Sequence, residues 1–161
     1  MKTVKVLITD RCCGKTTFAR QNKNYIDLDF YNYHILELPN SEKILVYIFE
    51  QITEDENTVV MMNKGYARFF DVLKRNFNLD VICYIPEASE KSRDYRVNLE
   101  KQRDIEHIGV PRIKIIESVE NSFIDRMIEF ENWAKENHYK YTILKVGEFI
   151  SDFENKQNES L

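Results

Sequence analysis

Residues 4–20, VKVLITDRCCGKTTFAR, decide the fold. The run from Val4 to Thr9 is apolar and β-branched, the composition of a strand covered on both faces. Residues 10–13 are too short and too polar to extend it, and Gly14-Lys15-Thr16-Thr17 opens a stretch of helical composition that runs to Gln21. A strand that passes into a helix through so tight a turn predicts a parallel partner strand further along the chain.

The same alternation continues outward. YIDLDF (25–30) predicts a short strand ending in acids, and SEKILVYIFEQITE (41–54) a helix with Ser41 at its N-cap. TVVMMN (58–63) reads as a buried strand, YARFFDVLKRNF (66–77) as an amphipathic helix, and DVICYIP (80–86) as a strand closed by Pro86. A polar, Arg-rich helix follows from Ser89 to about His107 and is broken at Gly109-Val110-Pro111. Over 119–137, Phe123, Met127, Ile128, Phe130 and Trp133 recur at helical spacing; YTILKV (141–146) is the last strand and EFISDF (148–153) a short final helix. Strands separated by helices predict a three-layer α/β domain over 1–153 with a mostly parallel five-stranded sheet, a polar segment at about 88–112, and a flexible tail at 154–161. In such sheets ligands sit beyond the carboxyl ends of the strands, where Asp10–Thr17, Asp27, Asp29 and Asn63–Gly65 all fall.

Composition narrows the chemistry. The chain has 161 residues, enough for one core, and a net charge of −4, which excludes the broad basic surface that holds duplex nucleic acid. Its apolar runs are shorter than the roughly 20 residues that span a bilayer, and the expected location is cytoplasmic. Three cysteines, two of them adjacent, make a poor disulfide framework. Cys12-Cys13 admits two readings: a redox pair whose thiol pKa is lowered at a helix start, or small residues that fit a tight loop. His34, His107 and His138 have no companion ligands or nucleophile at a suggestive spacing.

The pattern G-x-x-x-x-G-K-[ST] builds a loop whose backbone N–H groups cradle phosphates, whose lysine reaches the terminal phosphates and whose hydroxyl holds Mg²⁺. Gly14, Lys15 and Thr16 supply its last three positions, but Thr9 stands where the first glycine belongs. Asp10 follows, an acid that either repels a bound polyphosphate or turns away to cap the helix or pair with Arg11. If Asp10 is instead the aligned residue, the loop is one residue short.

VLITDRCCGKTTFAR followed by YIDLDF resembles the small P-loop kinases, in particular the nucleoside monophosphate kinase-like proteins of bacteriophages. TVVMMNKG, DVICYIPEASEKSRDYR and FENWAK with YTILKVGEFISDF extend the likeness loosely over most of the chain. The resemblance implies ATP and Mg²⁺ as cofactors, with Cys13, Gly14, Lys15, Thr16 and Thr17 in the cofactor-binding loop, Lys15 on the β/γ-phosphates and Thr16 on the metal. Asp27 and Asp29 are similar to the D-x-D of kinases of the shikimate kinase type: one carboxylate, here Asp27, helps hold Mg²⁺ and the other meets the acceptor. Arg93 and Arg96, three residues apart, would stabilise the transferring phosphoryl group from a lid, with Arg103 as a further candidate. Glu90, Asp94, Glu100 and Asp104 of the same segment also suit a solvated helix on which acids and arginines pair. Phe30, Tyr31 and Tyr33 would either line the acceptor pocket or belong to the core.

Two functions of different class follow. One is ATP-dependent phosphoryl transfer to a small acceptor, a (deoxy)nucleoside monophosphate. The other is a catalytically impaired P-loop protein that binds a nucleotide or a protein partner, such as a phage regulatory or counter-defence factor.

Overall fold

In the computed structural model, which describes residues 1–28, 41–65 and 67–154, the opening run becomes strand β1, Thr3–Thr9, with Val4, Val6, Leu7 and Ile8 all buried. Helix α1 (Lys15–Gln21) follows at once and packs Phe18 edge-on against Tyr25 of β2 (Tyr25–Asp27). Then come α2 (Ser41–Glu54), β3 (Val59–Asn63), α3 (Ala67–Asn76), β4 (Asn78–Pro86), α4 (Glu90–Ile108), α5 (Ile113–Glu136) and β5 (Lys140–Leu144), with a last helical turn at 151–154. The strands form one five-stranded sheet in the order β2-β3-β1-β4-β5. Both β1 and β2 run parallel to β3, so the chain is an α/β protein with a mostly parallel sheet, as its alternating pattern predicts.

Two compact units divide the chain: Met1–Thr9 with Gly14–Ile82, and Asp10–Cys13 with the residues from Cys83 onward. The first owes its core to β1, β3, Phe18, Ile48, Ile52 and Leu73. The second is built on α4 and α5, which pack together, with Phe123, Met127, Phe130 and Ala134 forming the buried stripe of α5. Ile128, which the periodicity puts in that stripe, is 46% exposed, because positions 123, 127, 130 and 134 alone keep to one helical face.

Helix α4 ends at Gly109, whose left-handed φ of 92° lets its N–H reach the carbonyls of Asp104 and Ile105. Helix α5 begins at Ile113, earlier than its apolar stripe suggests, with Arg112 at its N-cap: the Arg112 carbonyl accepts from the Ile116 N–H and its own N–H is held by the Asp104 carboxylate. The exposed Ile113 and Ile115 conceal that start from a reading based on periodicity. Glu154, which the sequence assigns to the tail, is buried and accepts a hydrogen bond from the Tyr84 hydroxyl; residues 155–161 lie outside the described residues. Asp29, Phe30, Tyr31, Tyr33 and His34 lie outside them too. No helix among the described residues is long and apolar enough to cross a membrane.

Candidate functional site

In the first unit the register aligns the carboxyl ends of three strands: Thr9 lies opposite Asn63, and Asp27 opposite Met61. The Lys64 N–H donates to the Thr9 carbonyl at 3.1 Å and ties β1 to the turn after β3. On this edge Gly14 takes the left-handed conformation, φ 91°, and its carbonyl receives the Phe18 N–H as α1 begins. Lys15 is buried, with 6% of its surface exposed. The Thr16 hydroxyl donates to Asp27 Oδ2 at 2.7 Å, and Asp27 is itself buried. Thr17 faces solvent.

The structure thus brings Thr16 and Asp27 together, from residues eleven apart in sequence. Thr9, at the missing glycine's position, is the extended end of β1, and among the described residues its buried hydroxyl has no hydrogen-bond partner. The positive φ that glycine would ease falls instead at Cys12, φ 58°, where a Cβ costs roughly 1–2 kcal/mol.

Residues 10–13 belong to the second unit, and each of them is held there. Asp10 is buried and accepts from Arg126 Nη1 at 3.0 and 3.1 Å, so its charge is matched by α5 rather than by Arg11, and it does not cap α1. Arg11 Nη1 donates to Glu100 Oε1 at 3.1 Å and the Cys12 thiol to Glu100 Oε2 at 3.1 Å. The carbonyl of Cys12 accepts from Arg96 Nη1 at 2.9 Å, and that of Cys13 from the Ile150 N–H at 3.1 Å.

Burial, reinforced by the Glu100 charge and hydrogen bond, raises the Cys12 thiol pKa. A thiol held protonated is a poor nucleophile, so the redox reading of Cys12-Cys13 gives way to the packing one; Cys13 and Cys83 are buried.

Helix α4 turns a polar stripe inward: Ser92, Arg96, Glu100 and Asp104, four residues apart, are buried with Val97 as the one apolar member. Glu100 pairs with Arg103, as charge patterning suggests, but it does so with 1% of its side chain exposed and not on a solvated face. It also takes Arg112 Nη2 at 3.4 Å. Asp104 holds Arg112 through two guanidinium nitrogens and the backbone N–H. Of the two arginines assigned to a lid, Arg93 turns its side chain to the exposed Asp94, whereas Arg96 is buried and donates to the carbonyls of Cys12, Lys145 and Glu148. Tyr95 and Phe149 flank its guanidinium, each ring centre 5.2 Å away.

Sequence reasoning missed Glu100 as an anchor and both Arg112 and Arg126. The available signal was the spacing of four between Ser92, Arg96, Glu100 and Asp104, which puts polar residues where an amphipathic helix has apolar ones.

Hydrogen bonding from Arg112, opposed in part by burial, holds the Asp104 carboxyl below its ordinary value of 3.8. A depressed native pKa adds stability that is present above the unfolded value and lost as pH falls through the native one. Asp104→Asn should therefore lower the stability measured by urea unfolding at pH 7, and the gap to the parent should close below about pH 4. An equal gap at pH 7 and pH 3 would show that the carboxylate charge adds nothing.

No protein-family model matches the sequence, and no curated protein matches it significantly. Among solved structures the chain is similar to shikimate kinase from Bacteroides thetaiotaomicron, at 19% identity over 89% of this chain and 86% of that one, with a TM-score of 0.47. It is similar also to an uncharacterized protein from Eubacterium ventriosum, at 12% identity over 100% of both chains, with a TM-score of 0.45.

Proposed function

We propose that the chain binds ATP with Mg²⁺ through its first loop and transfers the terminal phosphoryl group to a small acceptor, with (deoxy)nucleoside monophosphates as the class to test. The observation that carries this reading is the 2.7 Å bond from Thr16 to the buried Asp27, directly after Gly14 and Lys15. A hydroxyl and a carboxylate are hard oxygen donors of the kind Mg²⁺ takes, and the ion ordinarily completes its shell with phosphate oxygens and water. Among the described residues no group of three or more His, Cys, Asp or Glu could hold a metal. When bound, the nucleotide and its cation supply the transferable group and neutralise its charge. Lys15 would meet the β/γ-phosphates, Thr16 and Asp27 the cation, and Cys13, Gly14 and Thr17 would complete the loop. Asp29 is proposed for the acceptor side, and Arg93, whose side chain bonds Asp94 alone among the described residues, for the transferring group in preference to Arg96.

A second reading, a binder without turnover, is favoured by the apolar residues exposed where α4 passes to α5: Ile105, Ile108, Val110 and Ile113 are each half exposed or more. Thermal melts with millimolar Mg²⁺ and ATP test whether the chain binds nucleotide at all. A ligand bound only by the native state adds about 2.7 kcal/mol at a hundredfold excess over Kd, and Lys15→Ala should lose that gain. A parent melting temperature that ignores the nucleotide would remove the kinase and the nucleotide sensor together.

A further inference from the structure

We infer that Glu100 is a positioning residue for the loop before Gly14, acting with Arg96 one helical turn away to hold by side-chain contacts a backbone shape that the usual loop obtains from glycine. The inference rests on the nucleotide reading above and assigns the loop's shape to a helix some ninety residues later in the chain.

The geometry within the second unit is specific. Glu100 places one oxygen on Arg11 and the other on the Cys12 thiol, both at 3.1 Å. Arg96 takes the Cys12 carbonyl at 2.9 Å and the carbonyls of Lys145 and Glu148 with its other terminal nitrogen. The side chain of Cys12 is thus fixed from one residue and its carbonyl from another, around the one loop residue that combines a positive φ with a Cβ. Asp10 on Arg126 and the Cys13 carbonyl on the Ile150 N–H bracket the pair.

Charge compensation alone does not account for this arrangement. Arg103 and Arg112 already meet the Glu100 carboxylate, Arg103 through both oxygens, at 2.9–3.4 Å. The two further contacts, from Arg11 and Cys12, add nothing that the buried charge needs; what they do is fix the loop.

Two variants separate positioning from general support. Glu100→Gln removes the charge that Arg11 meets, and the double variant Arg11→Ala with Cys12→Ala removes the loop's side of the same contacts while leaving α4 and its remaining arginines intact. Hydrogen exchange followed by mass spectrometry on the peptide covering 10–17 reads the loop, the peptide covering 123–130 reads the core, and calorimetric titration with Mg²⁺–ATP reads the ligand. In both variants loop exchange should rise at least tenfold, core exchange should stay within twofold, and Kd for Mg²⁺–ATP should weaken at least tenfold. If Glu100→Gln does not fold, the double variant decides. Unchanged loop exchange, or faster exchange with an unchanged Kd, overturns the positioning role while the nucleotide reading stands. A parent chain that ignores Mg²⁺–ATP removes the nucleotide reading and the positioning role with it.

Discussion

On the proposed reading, Asp27→Asn should lower ATP-dependent transfer by roughly a hundredfold or more, because it takes away the negative charge that would hold the cation at the transferring group. The substitution keeps an oxygen that can accept the Thr16 hydroxyl bond now formed at 2.7 Å, so the local geometry survives while the negative charge goes. Stability should move by no more than about 1 kcal/mol, which for a chain of this size is a shift of roughly 2–4 °C in Tm. ADP release measured against a panel of nucleoside monophosphates, with melting curves of parent and variant alongside, separates the two effects. Equal rates with an active parent would take Asp27 out of the site and reduce its bond to Thr16 to a strand-end contact.

Arg96→Ala should have the largest effect on stability, about 3 kcal/mol or more, because it leaves three carbonyls of the second unit without their charged donor. The cost combines lost charge-assisted hydrogen bonds with the removal of a guanidinium buried between two aromatic rings. Arg93→Ala, three residues away, removes one pairing with a solvent-exposed Asp94 and should change stability by less than about 0.5 kcal/mol. Urea unfolding of the two variants, followed by circular dichroism, gives the contrast. Similar small losses in both would show that the Arg96 contacts hold nothing. The size of the Arg96 effect is also why Glu100 is the better probe of loop position, since its other partners retain their own solvent contact.

The strands were legible because each is a continuous β-branched or apolar run bounded by polar residues, and β1 and β3 match their expected ranges to within one residue. Helix α1 was legible from the Gly-Lys-Thr-Thr start, and the left-handed φ of Gly14 is what a glycine at a helix start supplies. The meeting of Thr16 with Asp27 follows from a tight turn and a short parallel strand, both local features. What lay hidden depends on long-range charge pairing, which leaves no period in the sequence. Asp10 read either as a charge against phosphate or as one turned away toward the helix or Arg11, and nothing local named Arg126 as its partner; Glu100 read as one acid among several on a wet helix. Thr9 looked like a damaged position because the usual pattern has glycine there, whereas the strain lies at Cys12.

The division of the loop between two sets of partners has a consequence for how the protein is made. Arg11 precedes Glu100 by 89 residues and Asp10 precedes Arg126 by 116. At about 5–20 residues per second, Arg126 leaves the ribosome roughly 6–23 s after Asp10. Through that interval a nascent chain already carries Lys15, Thr16 and Asp27, while Asp10 still lacks the Arg126 guanidinium that holds it in the finished protein. Closing so long a span is an entropic cost that the chain meets late in folding. On the proposed reading, translation that stops before Arg126 leaves Lys15, Thr16 and Asp27 behind a loop whose Asp10 is not yet anchored, and the full capacity to grip a nucleotide arrives only once Arg126 has been made.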